Sequence, residues 1–468
     1  LALLDRFKEK LKESRGFFIS IVFHIVILFL VSGIVIINPT VRKTVFRGVL
    51  QMGGGGKAEA PSWEAPKSAP ASKPVDIPQT AKSDIKFSDA RVTVSNKSST
   101  QSGVTQKVFD VAGSGGGAGG GAGAGIGKGI GAGIGLFSAR MNKTEMAKKY
   151  GGTALTEVAV QRGLEYLYKT QKEDGSWDAG EGKYGTTARG AITSLAALSF
   201  LGAGYKTDSP HKYAKTIKKA LEYLVSIQKE NGWMGEKSGM YQHSMATMAL
   251  SEGYFFGGAA GLRENVTKAA QCLLNAQKVN GDGAWQYEQN SKRADSSVTG
   301  WAIMGLKDCM YSGILEQECK EGLEKATKFI IKCNGQYEPG EIANKPNMVA
   351  VGIFCLALAD KLKHPLMPGL VQRMEKSIRA KLFTKGSGTY YGLYYFNLAC
   401  FQMGGKLWNE WNEYFREFIV NWQNPDGSFK CVSGDYEKQL SLNYSTAMAV
   451  LSLEVYYRYL PMYQIVNK

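Results

Sequence analysis

No CxxC pair occurs anywhere in this chain, although it holds seven cysteines. An odd set without close pairing argues against a zinc knuckle or a disulfide framework, so no structural metal is expected. Cys272, Cys309, Cys319, Cys333, Cys355, Cys400 and Cys431 read instead as small hydrophobes, several of them on apolar helix faces. A clustered basic stripe is also missing. The net charge of +16 and pI near 9.3 come from lysines and arginines scattered along the chain, which excludes nucleic acid as the expected partner. The glycine run Gly113–Gly135 lacks the Gly-Lys-Ser/Thr ending and the flanking strand of a phosphate loop, so it reads as linker and no nucleotide cofactor is expected.

Charge is scarce in one more place, and there the scarcity is informative. Six segments are nearly uncharged: 187–201, 244–256, 298–308, 347–359, 390–402 and 442–456. A helix apolar on all sides is buried on most of them, so these are predicted to form an inner layer. Each follows a two-faced segment with apolar residues at i, i+3 and i+4: 158–170, 213–227, 266–276, 319–331, 369–382 and 407–422. Between the two members of a pair stands a glycine turn. Four turns share one pattern, running from Gln171 to Trp177, Gln228 to Trp233, Gln277 to Trp285 and Gln423 to Phe429. Two degenerate turns, near Cys333 and Lys385, keep the glycines and an aromatic. A repeat of about 40 to 57 residues means one helical hairpin copied along the chain, each copy unable to bury its apolar face alone. Six copies suffice to close a ring, and the predicted fold is all-α, an (α/α)6 toroid over 137–468.

The turn residues read as fasteners. Glycine supplies the left-handed backbone between helices. Asp174, Asn231, Asp282 and Asp426 sit where a short polar side chain caps backbone donors. The glutamine amide offers donor and acceptor together, and Trp177, Trp233, Trp285 and Phe429 supply apolar area between hairpins.

These turns resemble the QW repeats of squalene and oxidosqualene cyclases, and the predicted architecture resembles the toroid they share with protein prenyltransferase β subunits. The stretches Met240–Tyr254 and Ala294–Lys307 resemble bacterial prenyltransferase/squalene-oxidase repeat proteins. The resemblance implies a central cavity, yet the family's chemistry is not repeated here. Where a cyclase carries D-x-D-D, this chain reads Asp295-Ser296-Ser297-Val298, so only the first acid is kept. A lone carboxyl of ordinary acidity does not protonate an alkene. The zinc ligands of the prenyltransferases are missing as well: Asp308 and Cys309 are adjacent, and His243 has no matching set.

The polar residues entering the inner helices mark the candidate site. His243 and Asp295 open neighbouring inner helices on one rim and form a candidate acid–base pair. The other reading is an N-cap for Asp295 and a hydrogen-bonded rim histidine for His243. Tyr241, Trp301, Tyr391, Tyr394, Tyr395 and Tyr444 are the candidate ligand-binding aromatics, alternatively core filling. The expected function is binding of an isoprenoid-like or peptide ligand. The alternatives are a cyclase or prenyltransferase relative with a different acid, or an interaction protein coupled to a membrane motor.

Ahead of the toroid the sequence changes character. Residues 1–15 are basic, and Gly16–Ile37 is an uncharged apolar run of about the length that crosses a bilayer. The basic flank predicts a cytoplasmic N-terminus, a single inner-membrane pass and a periplasmic toroid. Residues 38–136, rich in proline and lysine and then glycine, are an expected disordered linker. Ser20 and His24, four apart within the apolar run, resemble the anchors of TonB and TolA. That resemblance implies an ExbB/ExbD-like motor as partner.

Overall fold

The computed structural model describes residues 138–181, 187–342, 345–383, 389–431 and 437–459. The apolar run 16–37 with Ser20 and His24, and the linker 38–136, lie outside the described residues. Among those described, no helix is long and apolar enough to cross a membrane. The expected single-pass inner-membrane placement with a cytoplasmic N-terminus and periplasmic toroid is therefore not supported by the described residues. The inner helices are apolar because other helices surround them. They run from 12 to 17 residues, short of the roughly 20 that a bilayer requires.

After a short helix α1 (Lys143–Tyr150), twelve helices follow in alternation. The outer members are α2 (Ala154–Thr170), α4 (Ala214–Ser226), α6 (Arg263–Val279), α8 (Glu316–Cys333), α10 (Met367–Arg379) and α12 (Gly405–Val420). The inner members are α3 (Arg189–Gly202), α5 (Gly239–Phe255), α7 (Ser296–Tyr311), α9 (Pro346–Leu358), α11 (Tyr390–Met403) and α13 (Leu442–Leu453), and α14 (Val455–Arg458) ends the described chain. The outer helices bury one stripe. In α4 it is Ile217, Ala220, Leu221 and Leu224, at the i, i+3, i+4, i+7 spacing. The inner helices are buried nearly throughout, as in α7, where every residue from Ser296 to Cys309 is covered. Each inner helix packs on the next, and α13 returns to pack on α3, so six inner helices close a ring. The predicted helix 442–456 is interrupted at Glu454, where the chain turns into α14.

The turns show what holds adjacent hairpins together. Gln171 donates through Nε2 to the Gly175 carbonyl of its own turn (3.0 Å) and to Thr216 of α4 (2.9 Å). Gln228 does the same to Gly232 and Asn265, and Gln277 to Gly283 and Gly322. Gln423 donates to Gly427 (3.0 Å) and to Ala159 of α2 (2.9 Å), so the last turn clasps the first outer helix and closes the outer layer. Gly175 (φ +88°) faces the Lys219 carbonyl so closely that an added Cβ would lie 2.2 Å from its oxygen, and Gly427 (φ +94°) meets Arg162 in the same way at 2.4 Å. Positive φ and backbone contact together leave glycine as the residue that fits. Trp177 and Trp285, both buried, donate through their indole N–H to Leu167 and Leu273. In the degenerate turn at Asn334 and Gly335 the guanidinium of Arg373 in α10 reaches both carbonyls, doing the work of the absent glutamine.

The rim where the inner helices end is filled by buried charge. Glu252 accepts from Arg140 (2.7 Å) and from Arg458 (2.9 Å), and all three side chains are fully buried. Arg458 also lies 3.7 Å from Glu454 and donates to the Leu198 carbonyl in the last turns of α3 (2.9 Å). Helix C-terminal ends carry partial negative charge, so two guanidiniums are well placed there. Asp308, buried at the same rim, is held well above the carboxylate range by burial and by nearby Glu252, against the pull of the two arginines.

Candidate binding cavity at the opposite rim

The rim where the inner helices begin is not filled by the described residues. A cavity of about 510 Å³ lies there, and all six inner helices contribute from their first turns. Ala191, Ile192 and Leu195 come from α3, Tyr241 and Met245 from α5, and Ser297 and Trp301 from α7. Asn347 of α9, Tyr391 of α11, and Tyr444 and Met448 of α13 complete the wall, with Tyr287, Tyr337 and Glu437 from the connecting loops. This is the size of a typical small-ligand pocket. Its surface is mostly apolar and aromatic because the inner-helix faces pointing to the axis carry few polar groups.

The rings form connected walls. Tyr241 meets Tyr391 edge-on (6.5 Å between centroids, 83°) and Tyr287 at 5.4 Å. Trp301 stacks on Tyr394 (5.4 Å, 9°) and meets Tyr395 edge-on. Tyr394 and Tyr395 are buried and do not line the cavity. They pack against Trp301 as part of the core. Of the six aromatics singled out in the sequence, Tyr241, Trp301, Tyr391 and Tyr444 therefore face the cavity, and two do not.

Asp295 is the N-cap of α7, its Oδ1 accepting from the backbone N–H of Ser297 (2.7 Å) and Val298 (3.4 Å). The Ser297 hydroxyl also donates to it and itself accepts from the Tyr241 hydroxyl (2.6 Å). A hydrogen-bonded chain thus runs from a half-buried carboxyl to the cavity wall. Burial pushes the Asp295 carboxyl up, against the pull of Ser297 and Val298.

His243 is not part of this chain. Its Nδ1 accepts from the Met234 backbone N–H (3.3 Å), and its ring lies against Trp233 (5.0 Å). In three other repeats a threonine in the first turns of the inner helix does the same work: Thr193 accepts from Trp177, Thr299 from Trp285 and Thr446 from Phe429. His243 occupies the threonine's place in the second repeat. Complete burial drives its pKa down to about 3, so the imidazole is neutral. The expected charged Asp–His pair is thus replaced by two separate capping arrangements, because the imidazole ties down its own turn.

The group that sequence reasoning missed is Glu437. It lies in the loop ahead of α13, 1% exposed, on the cavity wall. Its carboxylate accepts from the backbone N–H groups of Tyr390 (3.0 Å) and Tyr391 (3.3 Å) at the start of α11, and from the Tyr444 hydroxyl (2.9 Å). Burial pushes its pKa up to about 7, with these three donors pulling the other way. The available signal was an acid ahead of an inner helix, the same relation that Asp295 has to α7. Among the described residues, no group of three or more His, Cys, Asp or Glu side chains converges as a metal site.

With ring and cavity described, similarity to known proteins can be placed on them. Residues 137–289 match the squalene-hopene cyclase C-terminal domain. This supports the toroid superfamily of the terpene cyclases for the ring, and the matched stretch contains three of the four glutamine turns and His243 but ends before Asp295. A squalene–hopene cyclase of Bradyrhizobium diazoefficiens is 37% identical over 98 residues, which are 21% of this chain and 13% of that protein. A lanosterol synthase of Aspergillus fumigatus is 29% identical over 140 residues, 27% of this chain and 17% of the relative. The matches therefore span a small part of those enzymes' own length. Among solved structures, a variant of an α-1,6-mannanase from Salegentibacter sp. is 12% identical with a TM-score of 0.47, covering 65% of this chain and 99% of that one. A variant of the type II terpene cyclase MstE from Scytonema is 12% identical with a TM-score of 0.45, covering 66% and 98%.

Proposed function

We propose that this protein binds an extended, mostly apolar ligand of the isoprenoid kind in the cavity at the open rim. The observation that carries this reading is the wall itself: side chains from six helices around about 510 Å³, presenting a mostly apolar and aromatic surface interrupted by tyrosine hydroxyls, Ser297, Asn347 and Glu437. A peptide fits this wall less well. Each of its backbone donors and acceptors that meets the apolar part would lose water without a partner, at roughly 1 to 3 kcal/mol. The chain in which Tyr241 donates to Ser297 and Ser297 to Asp295 supports a second reading, an enzyme that draws a proton out of the cavity. Its end at the cavity is a phenol, ordinarily of pKa about 10, whose one hydrogen is directed at Ser297. Such a chain suits a substrate with an acidic proton and not the protonation of an alkene.

The test is titration of the purified protein with a C20 polyisoprenoid alcohol, followed by tryptophan fluorescence and by native mass spectrometry. Saturable one-to-one binding is expected. Ala191→Phe, which fills the cavity from α3, is expected to weaken that binding at least tenfold while circular dichroism stays unchanged. Binding that is undisturbed by this substitution would place the ligand elsewhere and remove the proposal.

A further inference from the structure

Glu437 differs from the other deeply buried acids in the company it keeps. Glu252 and Glu454 at the far rim face guanidiniums. Glu437 has three recorded donors, two backbone N–H groups and one phenol, none of them a cation. Among the described residues, no lysine or arginine lines the cavity. A carboxylate has about four acceptor positions, so roughly one is left over. An ionised acid buried without a countercharge is expensive, and it is usually found paired. The same cavity is lined by Tyr241, Trp301, Tyr391 and Tyr444, aromatic rings of the kind that attract a cation to within about 6 Å of a ring centroid. An anion would meet the opposite reception. Although helix N-termini favour negative charge, the first N–H groups of α7 and α11 are already taken by Asp295 and Glu437.

We infer that the ligand of this cavity carries an alkylated ammonium group, held between the aromatic walls and paired with Glu437. The inference rests on the reading of the cavity as an apolar binding site and names the head group of its ligand. Pairing requires the ionised carboxylate, so binding tightens as pH rises through the range in which Glu437 loses its proton. Among the described residues, the titratable groups around Glu437 are Tyr390, Tyr391 and Tyr444, with Cys431 beyond Tyr390. Burial holds the phenols of Tyr390 and Tyr391 well above their ordinary range. Asp295 reaches the cavity only through Ser297, and it is retained in a Glu437→Gln protein.

The experiment is calorimetric titration with three probes of equal chain length: a decyltrimethylammonium, its uncharged tert-butyl isostere and a decyl phosphate. At pH 8 the ammonium is expected to bind at least tenfold more tightly than the isostere, and the ratio is expected to fall several-fold at pH 5.5. In Glu437→Gln the ratio falls towards one and no longer depends on pH. The wild-type ratio and its pH dependence stand without the variant, should Glu437→Gln fail to fold. Equal binding of ammonium and isostere at pH 8 overturns the inference while leaving the apolar site in place, as does tighter binding of the phosphate. Failure of all three probes overturns both.

Discussion

The two rims of the inner ring are built from the same six helices and put charge to opposite use. Where the helices end, Arg140 and Arg458 are buried against Glu252 and Glu454, and the space is filled. Where they begin, Glu437 and Asp295 cap helix starts, and among the described residues no cation answers them on the cavity wall and a cavity remains. The difference follows from polarity. Helix C-terminal carbonyls and buried acids together accept two guanidiniums, which can satisfy several acceptors each and so complete a plug. The starting rim offers N–H donors, which short carboxylates satisfy locally without reaching across the axis. Paired charge fills one rim, whereas at the other the described acids are satisfied by helix-start donors beside a cavity.

Removing one partner at the filled rim is the strongest way to test that contrast. Arg458→Met leaves Glu252 and Glu454 short of their shared cation, and a loss of about 3 to 5 kcal/mol is expected in urea unfolding. A loss below about 1 kcal/mol would mean that the plug carries little of the fold. Next comes the clasp that closes the outer layer. Gln423→Ala deprives the Ala159 and Gly427 carbonyls of their donor and is expected to cost about 1 to 3 kcal/mol in the same measurement.

At the open rim the expected effects are smaller and depend on pH. Burial lifts the folded-state pKa of Glu437 above the ordinary glutamate value, to about 7 from 4.5. The folded protein therefore binds more protons than the unfolded one between those values, and this group's contribution to stability is complete below about 4.5 and is lost as pH rises through 7. Glu437→Gln should remove a falling slope of up to about 1.4 kcal/mol per pH unit from that window. An unchanged slope would assign it to Glu157, whose carboxyl burial also raises to about 7. The smallest change is expected from His243→Thr, which restores the side chain used in the other repeats. A cost of less than about 1 kcal/mol is anticipated, because the Met234 N–H keeps an acceptor, and cavity binding should be unaltered. Loss of binding in that variant would return His243 to the site.

How much of this was legible in the sequence depends on the distance between partners. The glutamine turns were visible as a pattern, and Asp174, Asn231 and Asp426 accept from backbone N–H groups two residues on, as their spacing suggested. The capping of α7 by Asp295 was one of two readings and is the observed one. For His243 likewise, the hydrogen-bonded rim histidine was one of two readings and is the observed one, while the pairing with Asp295 is not, because two polar residues on one rim look alike until the ring's orientation is known. Glu437 was overlooked because nothing local links it to Tyr390 and Tyr391, which precede it by 47 and 46 residues. Arg140 and Arg458 are 318 residues apart, too far for any periodicity to connect.

By itself the sequence determined a repeated two-helix unit, its buried and exposed faces and the chemistry of its turns. All of these follow from periods of a few residues and from what glycine, glutamine and tryptophan do locally. Tertiary structure alone decided which rim is filled and which is open, and which acid faces the cavity. Closing the ring brings together side chains that the chain order keeps apart, and burial then resets their charge.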